Sequence, residues 1–208
     1  MVNPVADAAY GAEAVDAMLA RHDFARITPR ENWAPRVLDS YVREARRSSL
    51  PVADVRCPAA RDLVIDLGLG DSLDVPDIDP ILLCAARDAC TRPELGDAPR
   101  VVLTPCRSLA ESGERLGLAH TTFAPWNEFV AALGEDLGPY DLGGSPIPLG
   151  FFSSTGLRVC SVTGPDALPA YLAAGSFEGC DLIEMLLCED GCHNGDGMPP
   201  LSKGGVSL

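Results

Sequence analysis

The sequence has few basic residues and lacks both a long apolar run and a secretory leader. Lys and Arg number 16 against 30 Asp and Glu, so the formal net charge is −14. Phosphate backbones repel such an acidic surface, which argues against nucleic acid as a partner. No stretch approaches the roughly 20 apolar residues of a transmembrane helix, and the first residues have neither the positive region nor the apolar core of a signal peptide. We therefore expect a cytoplasmic protein that does not insert into membranes.

Length and cysteine content are the next constraints. The chain has 208 residues, enough for one large domain or for two small lobes around a sizeable core. We predict a single domain over residues 1–208, with approximate lobes at 1–100 and 101–200 and a fraying polar tail at 201–208. Eight cysteines in a reducing compartment do not favour a disulfide framework. Metal ligation is therefore the preferred interpretation for some of them.

Short apolar strands alternate with helical patterns along the chain. The predicted strands cover residues 52–55, 101–104, 157–162 and 182–187. The predicted helices cover residues 13–21, 34–47, 59–67, 81–89, 126–133 and 167–174. Alternation of this kind is typical of parallel sheets covered by helices, so we expect an α/β fold.

The most informative segment begins at Cys188 and reads Cys-Glu-Asp-Gly-Cys-His-Asn-Gly-Asp-Gly. Its two cysteines, Cys188 and Cys192, bracket three residues, a spacing that lets both thiolates face one metal centre. The glycines let the backbone approach a neighbour closely and take positive φ values. Because the motif follows an apolar strand, it is typical of a loop that binds an iron–sulfur cluster.

Cys57 and Cys106 occupy similar places, each after an apolar strand and before a helix. Pro58 is a favoured first residue of a helix, and the residues after Cys106 can also start one. The positive end of a helix dipole favours the thiolate, which is the form that binds metal. Because the carboxyl ends of parallel strands gather at one edge of a sheet, we predict that Cys57, Cys106, Cys188 and Cys192 meet there.

The other cysteines and one histidine have simpler interpretations. We predict that Cys84, Cys90, Cys160 and Cys180 are small buried apolar residues and not ligands. His193 is predicted to be a loop residue, with a ligand role left open. A structural zinc site would use two close-spaced ligand pairs, and only one such pair is present. No signature of a cysteine hydrolase accompanies any of these residues.

The cysteine motifs resemble, in order and spacing, those of the C-terminal catalytic domain of the large subunit of iron-only (FeFe) hydrogenases. The matching segments are Arg56-Cys57-Pro58-Ala59-Ala60, Thr104-Pro105-Cys106 and residues 188–197. Residues 145–152 and 159–164 also agree, and the resemblance covers roughly residues 34–200. Within the family, the chain resembles a divergent branch that lacks the usual proton-relay cysteine and has sensory or accessory roles.

The resemblance implies a fold of two lobes, each a twisted parallel sheet flanked by helices, with a cluster between them. It also implies that Cys57, Cys106, Cys188 and Cys192 hold a cubane 4Fe-4S cluster. In active members the last of these, here Cys192, also bridges to a diiron site that performs the chemistry. The chain shows no counterpart of the family's ferredoxin-like cluster domains, so we expect electrons to come from a ferredoxin-like protein or from a cluster domain outside the chain.

Several positions depart from the family pattern. Active members have a proton-relay cysteine at the position of Arg56 in this chain. At the position of Leu109 they have a lysine, which donates a hydrogen bond to a cyanide ligand of the diiron site. The last loop has Glu189-Asp190 in place of Pro-Gly, and Asp196 in place of a glycine. The missing lysine removes a charge-assisted hydrogen bond worth roughly 1.5–3 kcal/mol. Arginine is permanently protonated and cannot relay protons.

We therefore expect a 4Fe-4S domain that acts in electron transfer, redox sensing or regulation without full hydrogenase activity, and we assign no catalytic residue. Ionised Glu189 and Asp190 are expected to lower the reduction potential of the cluster. One alternative is a divergent hydrogenase that catalyses reversible H2 oxidation at a diiron site bridged by Cys192. Another alternative is a degenerate structural module without a cofactor.

Overall fold

The computed structural model describes residues 1–138, 140, 142 and 144–199. Its helices are α1 (Pro4–Tyr10), α2 (Ala12–Arg21), α3 (Trp33–Arg47), α4 (Pro58–Asp66), α5 (Ile81–Cys90), α6 (Arg107–Glu114), α7 (Trp126–Ala132) and α8 (Ala167–Ala174). Its strands are β1 (Val52–Ala53), β2 (Arg100–Thr104), β3 (Thr121–Pro125), β4 (Val159–Thr163) and β5 (Leu182–Leu186). Short 3₁₀ turns cover Leu69–Asp71, Pro93–Leu95 and Cys192–Asn194. Within these described ranges, no helix is both long and apolar enough to cross a membrane. The predicted tail at 201–208 lies outside the described residues.

Two small parallel sheets contain the strands. In the three-stranded sheet β5 lies between β1 and β4, with Leu182 opposite both Val52 and Val159. The two-stranded sheet pairs β2 with β3, with Arg100 opposite Thr121. The fold is therefore mixed α/β with parallel strands, as the alternating pattern predicts. β1 comes from the first half of the chain and β5 from near its end, so the larger sheet combines segments from both predicted lobes.

Helices cover both faces of the three-stranded sheet. All five residues of β5 are buried, and the adjacent residues Leu182 and Ile183 belong to different apolar clusters. Leu182 shares a cluster with Tyr41 of α3, whereas Ile183 shares one with residues of α4 and α8. A strand that is buried on both faces is close to continuously apolar. This explains the single apolar run that the sequence shows before Cys188.

The two-stranded sheet is covered in the same way. Leu103 of β2 shares a cluster with α1, α2 and the fully buried Trp126 at the start of α7. The neighbouring Val102 shares a different cluster with α5, α6 and Phe123 of β3. Gly113 of α6 lies against the Phe123 ring, where an added Cβ atom would collide with the ring. Each sheet is therefore a layer between helices.

The six predicted helices and four predicted strands are all present, with ends that differ by one or two residues. Sequence reasoning missed α1 and β3. α1 has only 7 residues, and its start is fixed by Asn3, whose Oδ1 accepts a hydrogen bond from the Ala6 amide at 3.0 Å. β3 reads Thr-Thr-Phe-Ala-Pro, which lacks the apolar run that marks the other strands.

The predictions for the cysteines outside the cavity are wrong in part, since Cys84 and Cys90 are half-buried thiols and not fully buried ones. Cys160 in β4 and Cys180, just before β5, form a disulfide and are not two separate buried thiols. Their Cα atoms lie 5.9 Å apart, within the usual range for a disulfide. The spacing of 20 residues gives no hint of this pairing, because the parallel alignment of β4 with β5 is what brings the two together.

Candidate metal centre

The four predicted ligand cysteines line one cavity. Cys57, Cys106, Cys188 and Cys192 form its wall, and none of the four is part of a disulfide. The other lining residues are Arg56, Pro58, Pro105, Leu109, Leu186 and Gly195. The structure therefore brings together the four thiols that the strand-end pattern predicts. They lie in three loops, and the first and last are about 135 residues apart in the sequence.

Each cysteine is positioned by the element beside it. Cys57 is the residue before α4, and Cys106 is the residue before α6. Cys188 follows β5 after one residue, and Cys192 begins the 3₁₀ turn Cys192–Asn194. Because β1 and β5 belong to one sheet and β2 to the other, the cavity draws its cysteines from loops that follow both sheets.

Two glycines let the last loop pack directly on the second one. A Cβ atom added at Gly195 would collide with the carbonyl oxygen of Pro105, and one added at Gly197 would lie 2.8 Å from the Cys106 amide nitrogen. The Gly197 amide donates a hydrogen bond to the Pro105 carbonyl at 3.1 Å. The close backbone approach that the glycine-rich motif predicts is therefore confirmed, and it is made to the Pro105–Cys106 segment.

A third glycine turns the chain between Cys188 and Cys192. Gly191 has φ +117° and ψ −177°, a conformation that side chains other than glycine rarely adopt. A Cβ atom there would also lie 2.6 Å from the carbonyl oxygen of Ile147 and 2.6 Å from the Ser145 side chain. Gly191 therefore sets the direction of the loop and leaves room for the segment 145–147.

Asp196 joins the last cysteine loop to the helix after Cys106. Its Oδ1 accepts a hydrogen bond from the Arg107 amide, the first residue of α6, at 2.9 Å. Its carbonyl oxygen accepts another from the Asn127 side chain at 3.0 Å. Asp196 therefore has a structural role here, as a cap supplied by a distant loop.

Burial raises the pKa of all four thiols. The pKa of Cys106 is raised to about 12 and that of Cys188 to about 11, and Asp196 acts on both in the same direction. Ionisation of any one of the other three cysteines would raise the pKa of Cys192 further. A metal that binds these thiols must therefore displace their protons.

The position before a helix has the predicted effect on Cys57 and Cys106, but it is not the dominant one. Backbone amides lower the pKa of both thiols, chiefly the amide of Leu187 for Cys57 and that of Leu109 for Cys106. Loss of solvent is the larger effect, and it raises the pKa of each. The sequence pattern reveals the helix N-terminus but not the depth at which the thiol is buried.

Arg56, next to Cys57, is the centre of a buried ion network. Its Nε and Nη2 donate to the two carboxylate oxygens of Asp54 at 2.9 and 2.7 Å, and Nη2 also donates to Glu184 at 3.1 Å. The Arg56 side chain is 8% exposed and both carboxylate side chains are 0% exposed. The guanidinium carbon lies 4.0 and 4.7 Å from the ring centres of Phe151 and Phe152. Such stacking on aromatic rings is favourable for arginine.

Glu184 links this network to the neighbouring loop and strand. Its carboxylate accepts hydrogen bonds from the amides of Gly150 and Phe151 at 2.8 and 2.9 Å and from the Ser161 hydroxyl at 3.0 Å. Sequence reasoning missed both Glu184 and Asp54 as parts of the site. Each of these carboxylates lies inside an apolar strand segment. A charged residue in such a segment indicates a buried ion pair, because buried charges are usually paired.

The remaining acidic residues of the last loop behave differently. Glu189 and Asp190 are both exposed, and Asp190 takes the left-handed conformation at φ +56°. The carboxylate that raises the pKa of Cys106 and Cys188 is Asp196. Asp196 is exposed as well, but its charge acts on the pKa of two thiols that line the cavity.

His193 is buried but does not line the cysteine cavity. Its backbone oxygen accepts a hydrogen bond from the Tyr140 hydroxyl at 2.5 Å, and its Nε2 lies 3.3 Å from the Asn194 side-chain amide. Its Nδ1 has no hydrogen-bond partner among the described residues. The histidine is thus held beside Cys192 by its backbone, as a loop residue.

The described residues do not include a ready-made site for a single metal ion. Among the residues that the structure describes, no three Cys, His, Asp or Glu side chains are grouped as ligands of one metal ion. In a cubane cluster each thiolate binds a different iron, so the four sulfurs do not converge on one point. The cavity holds about 30 Å³, about the share of one water molecule. The cysteine side chains would therefore have to separate to admit a cluster.

Comparisons with family models, with curated proteins and with solved structures found no match for this chain. The resemblance to FeFe hydrogenases therefore depends on the sequence alone, through the three cysteine loops, their order and the segments 145–152 and 159–164.

Proposed function

We propose that this chain is a 4Fe-4S domain, similar to the catalytic domain of FeFe hydrogenases, that acts in electron transfer, redox sensing or regulation. The observation that carries the proposal is the shared cavity of Cys57, Cys106, Cys188 and Cys192. When bound, a cluster of this type supplies a one-electron redox centre. The cysteines would hold it, and the residues around them would set its potential and exclude water.

The arrangement of the sheets supports a site between two lobes. Cys57 and Cys188 follow strands of the three-stranded sheet, whereas Cys106 follows a strand of the two-stranded sheet. Each sheet has its own helices and its own apolar clusters. We infer that the cluster lies between a lobe built on each sheet, the position that the family resemblance implies.

Two residues near the cavity argue against full hydrogenase activity. Arg56 fills the position of the relay cysteine, and its salt bridges to Asp54 and Glu184 keep it charged. Leu109 lines the cavity where active members carry a lysine. A cyanide-bearing diiron unit is anionic, and a buried anion without a donor is costly. The alternative, a divergent hydrogenase with a diiron site at Cys192, would need other donors.

The proposed location and partner follow from the cofactor and the charge. An oxygen-sensitive cluster suits a reducing cytoplasm, and the net charge of −14 suits a partner with a basic docking face. A ferredoxin-like protein, or a cluster domain outside the chain, is the class of partner that would exchange single electrons with this site.

Spectroscopy on anaerobically purified protein tests the proposal. About four irons per chain with the EPR signal of a reduced cubane, and no infrared bands of CO or cyanide after co-expression with hydrogenase maturases, are expected. About six irons with those bands, together with hydrogen evolution, would establish the diiron alternative. Colourless protein without iron would support the degenerate module and contradict the proposal.

A further inference from the structure

A second, larger cavity adjoins the cysteine cavity and shares Arg56 with it. Its volume is about 580 Å³, within the usual range of small-molecule sites. Ile81, Leu82 and Ala85 of α5 form one wall, and residues 146–151 form another. Neither the cysteine motifs nor the proposed cluster accounts for a space of this size.

The segment 146–151 gives this cavity a preformed wall. It reads Pro-Ile-Pro-Leu-Gly-Phe, and each proline fixes its own φ. The amides of Gly150 and Phe151 are fixed by hydrogen bonds to Glu184. Because little chain entropy remains to be lost, binding to this wall costs less than binding to a flexible loop.

The charged residues of the cavity are already paired. Asp7 receives two hydrogen bonds from Arg26 at 2.8 and 2.9 Å. Arg56 is shared by two buried carboxylates, so Asp54, Arg56 and Glu184 together carry one net negative charge. An anionic ligand would therefore find no unpaired positive charge, and burying it would be costly.

Arg56, which lines this cavity, has one donor group without a partner among the described residues. Arg56 uses Nε and Nη2 for its carboxylate partners, and among the described residues no acceptor is bonded to Nη1. A neutral oxygen, such as that of a carbonyl group, could accept this hydrogen bond without adding charge. The rest of the lining is mainly apolar and would be covered by an apolar ligand body.

We propose that this cavity binds an uncharged, mainly apolar small molecule with one hydrogen-bond acceptor for Arg56. Binding would press on Phe151 and on Arg56, which stack on each other. Arg56 directly precedes Cys57, and its amide donates to Asp54. A bound molecule would thereby alter the environment of the cysteine site. This regulatory consequence rests on the proposed function, whereas binding itself does not.

Fluorescence titration with Nile red, a neutral apolar dye that carries a carbonyl group, tests the binding. Saturable one-to-one binding is expected, with the anionic dye 1-anilinonaphthalene-8-sulfonate binding about tenfold more weakly or worse. Ala85→Phe should fill the cavity and weaken Nile red binding by at least about tenfold. Ala132→Phe, on the exposed surface of α7, should leave it unchanged.

Leu149→Trp, on the loop wall, provides a second filling variant if Ala85→Phe does not fold. Absence of saturable binding, equal affinity for both dyes, or equal affinity in the filled and control variants would overturn the proposal. The coupling is tested separately, since Nile red should shift the midpoint of the cluster in an EPR-monitored redox titration of the unmodified chain but not of Ala85→Phe. Binding without a cluster signal would count against the proposed function alone.

Discussion

Arg56 and Glu184 form a buried salt bridge between the residue before the first cysteine and the centre of β5. The Nη2–Oε1 distance is 3.1 Å, and the two residues are 128 positions apart in the sequence. The bridge joins the Cys57 loop to the strand that leads to Cys188. It therefore couples two of the four cysteine positions through one pair of side chains.

Loss of Arg56 should strongly destabilise the protein. Arg56→Gln leaves Asp54 and Glu184 buried without a counter-charge, a change that costs about 3–5 kcal/mol in buried ion pairs. Urea denaturation at neutral pH measures the free energy of unfolding. Arg158→Gln is the matched control, because the Arg158–Asp181 pair is largely exposed and such pairs contribute about 0–1 kcal/mol. Equal losses in the two variants would contradict a buried network at Arg56.

A triple variant separates charge from packing. Arg56→Met combined with Asp54→Asn and Glu184→Gln removes all three charges while it keeps the approximate volume. Because no unpaired charge remains buried, part of the stability lost in Arg56→Gln should return. The return is incomplete because the amide at position 184 places an NH2 group against the Gly150 or the Phe151 amide. A triple variant as unstable as Arg56→Gln would mean that packing and hydrogen bonds, and not charge balance, explain the effect.

The general features of the site follow from the sequence, because they depend on local patterns. Apolar runs mark β1, β2 and β5, so the cysteines after them are expected at the carboxyl ends of parallel strands. The single sheet edge that the pattern predicts is wrong, because β2 belongs to a second sheet and the loops after both sheets line the cavity. Glycine spacing after Cys192 likewise indicates a close backbone approach, and Gly195 and Gly197 make that approach to the Pro105–Cys106 segment.

The features that the sequence did not predict all depend on tertiary partners. Nothing in the sequence near Glu184 indicates that it pairs with Arg56. The sequence near Asp196 likewise does not show that its side chain caps the start of α6. The Cys160–Cys180 disulfide depends on the alignment of β4 with β5. In each case the contact joins residues that are distant in sequence, so no local pattern contains it.

Alanine at Gly197 should disturb the site far more than alanine at another glycine. Its methyl group would meet the Pro105–Cys106 backbone, whereas a methyl group at Gly70 would meet nothing within 4 Å. We expect Gly197→Ala to cost more than about 1 kcal/mol and to lower the iron content, with Gly70→Ala close to the unmodified chain. Thermal unfolding and iron analysis measure the two effects. Normal iron retention in Gly197→Ala would show that the second loop can move.

Asp196 should influence the reduction potential more than Glu189 and Asp190 together. Asp196→Asn keeps an oxygen to accept the Arg107 amide but removes a negative charge that acts on the cysteines. Fewer negative charges near a cluster favour the reduced form, so the midpoint should become more positive. The double variant Glu189→Gln, Asp190→Asn removes two charges that are not among the causes of the raised pKa of Cys106 and Cys188, as Asp196 is, and should shift the midpoint less. EPR-monitored redox titration measures both, and a larger shift in the double variant would contradict this ranking.

Serine substitutions should separate ligand cysteines from the others. Cys188→Ser removes a thiol that lines the cavity, whereas Cys90→Ser changes one that lies 3.3 Å from the Thr121 hydroxyl. Cys188→Ser should lose most of the bound iron and the cubane EPR signal, while Cys90→Ser should keep both. Equal iron contents would mean that the cavity cysteines are not the ligands.

Alkaline pH should destabilise the protein when it is prepared with a chelator and a thiol reductant. In the fold the pKa of Cys106 is raised to about 12 and that of Cys188 to about 11, from an ordinary value of 9.0. Between about pH 9 and the raised pKa values, the unfolded chain has released thiol protons that the folded chain retains. The free energy of unfolding therefore has its full value below about pH 9 and falls as the pH rises. Urea midpoints at about pH 8 and about pH 10.5 should show the decrease. The double variant Cys106→Ser, Cys188→Ser should show a smaller decrease, because serine does not titrate in this range, and an identical pH dependence would assign the loss to other groups.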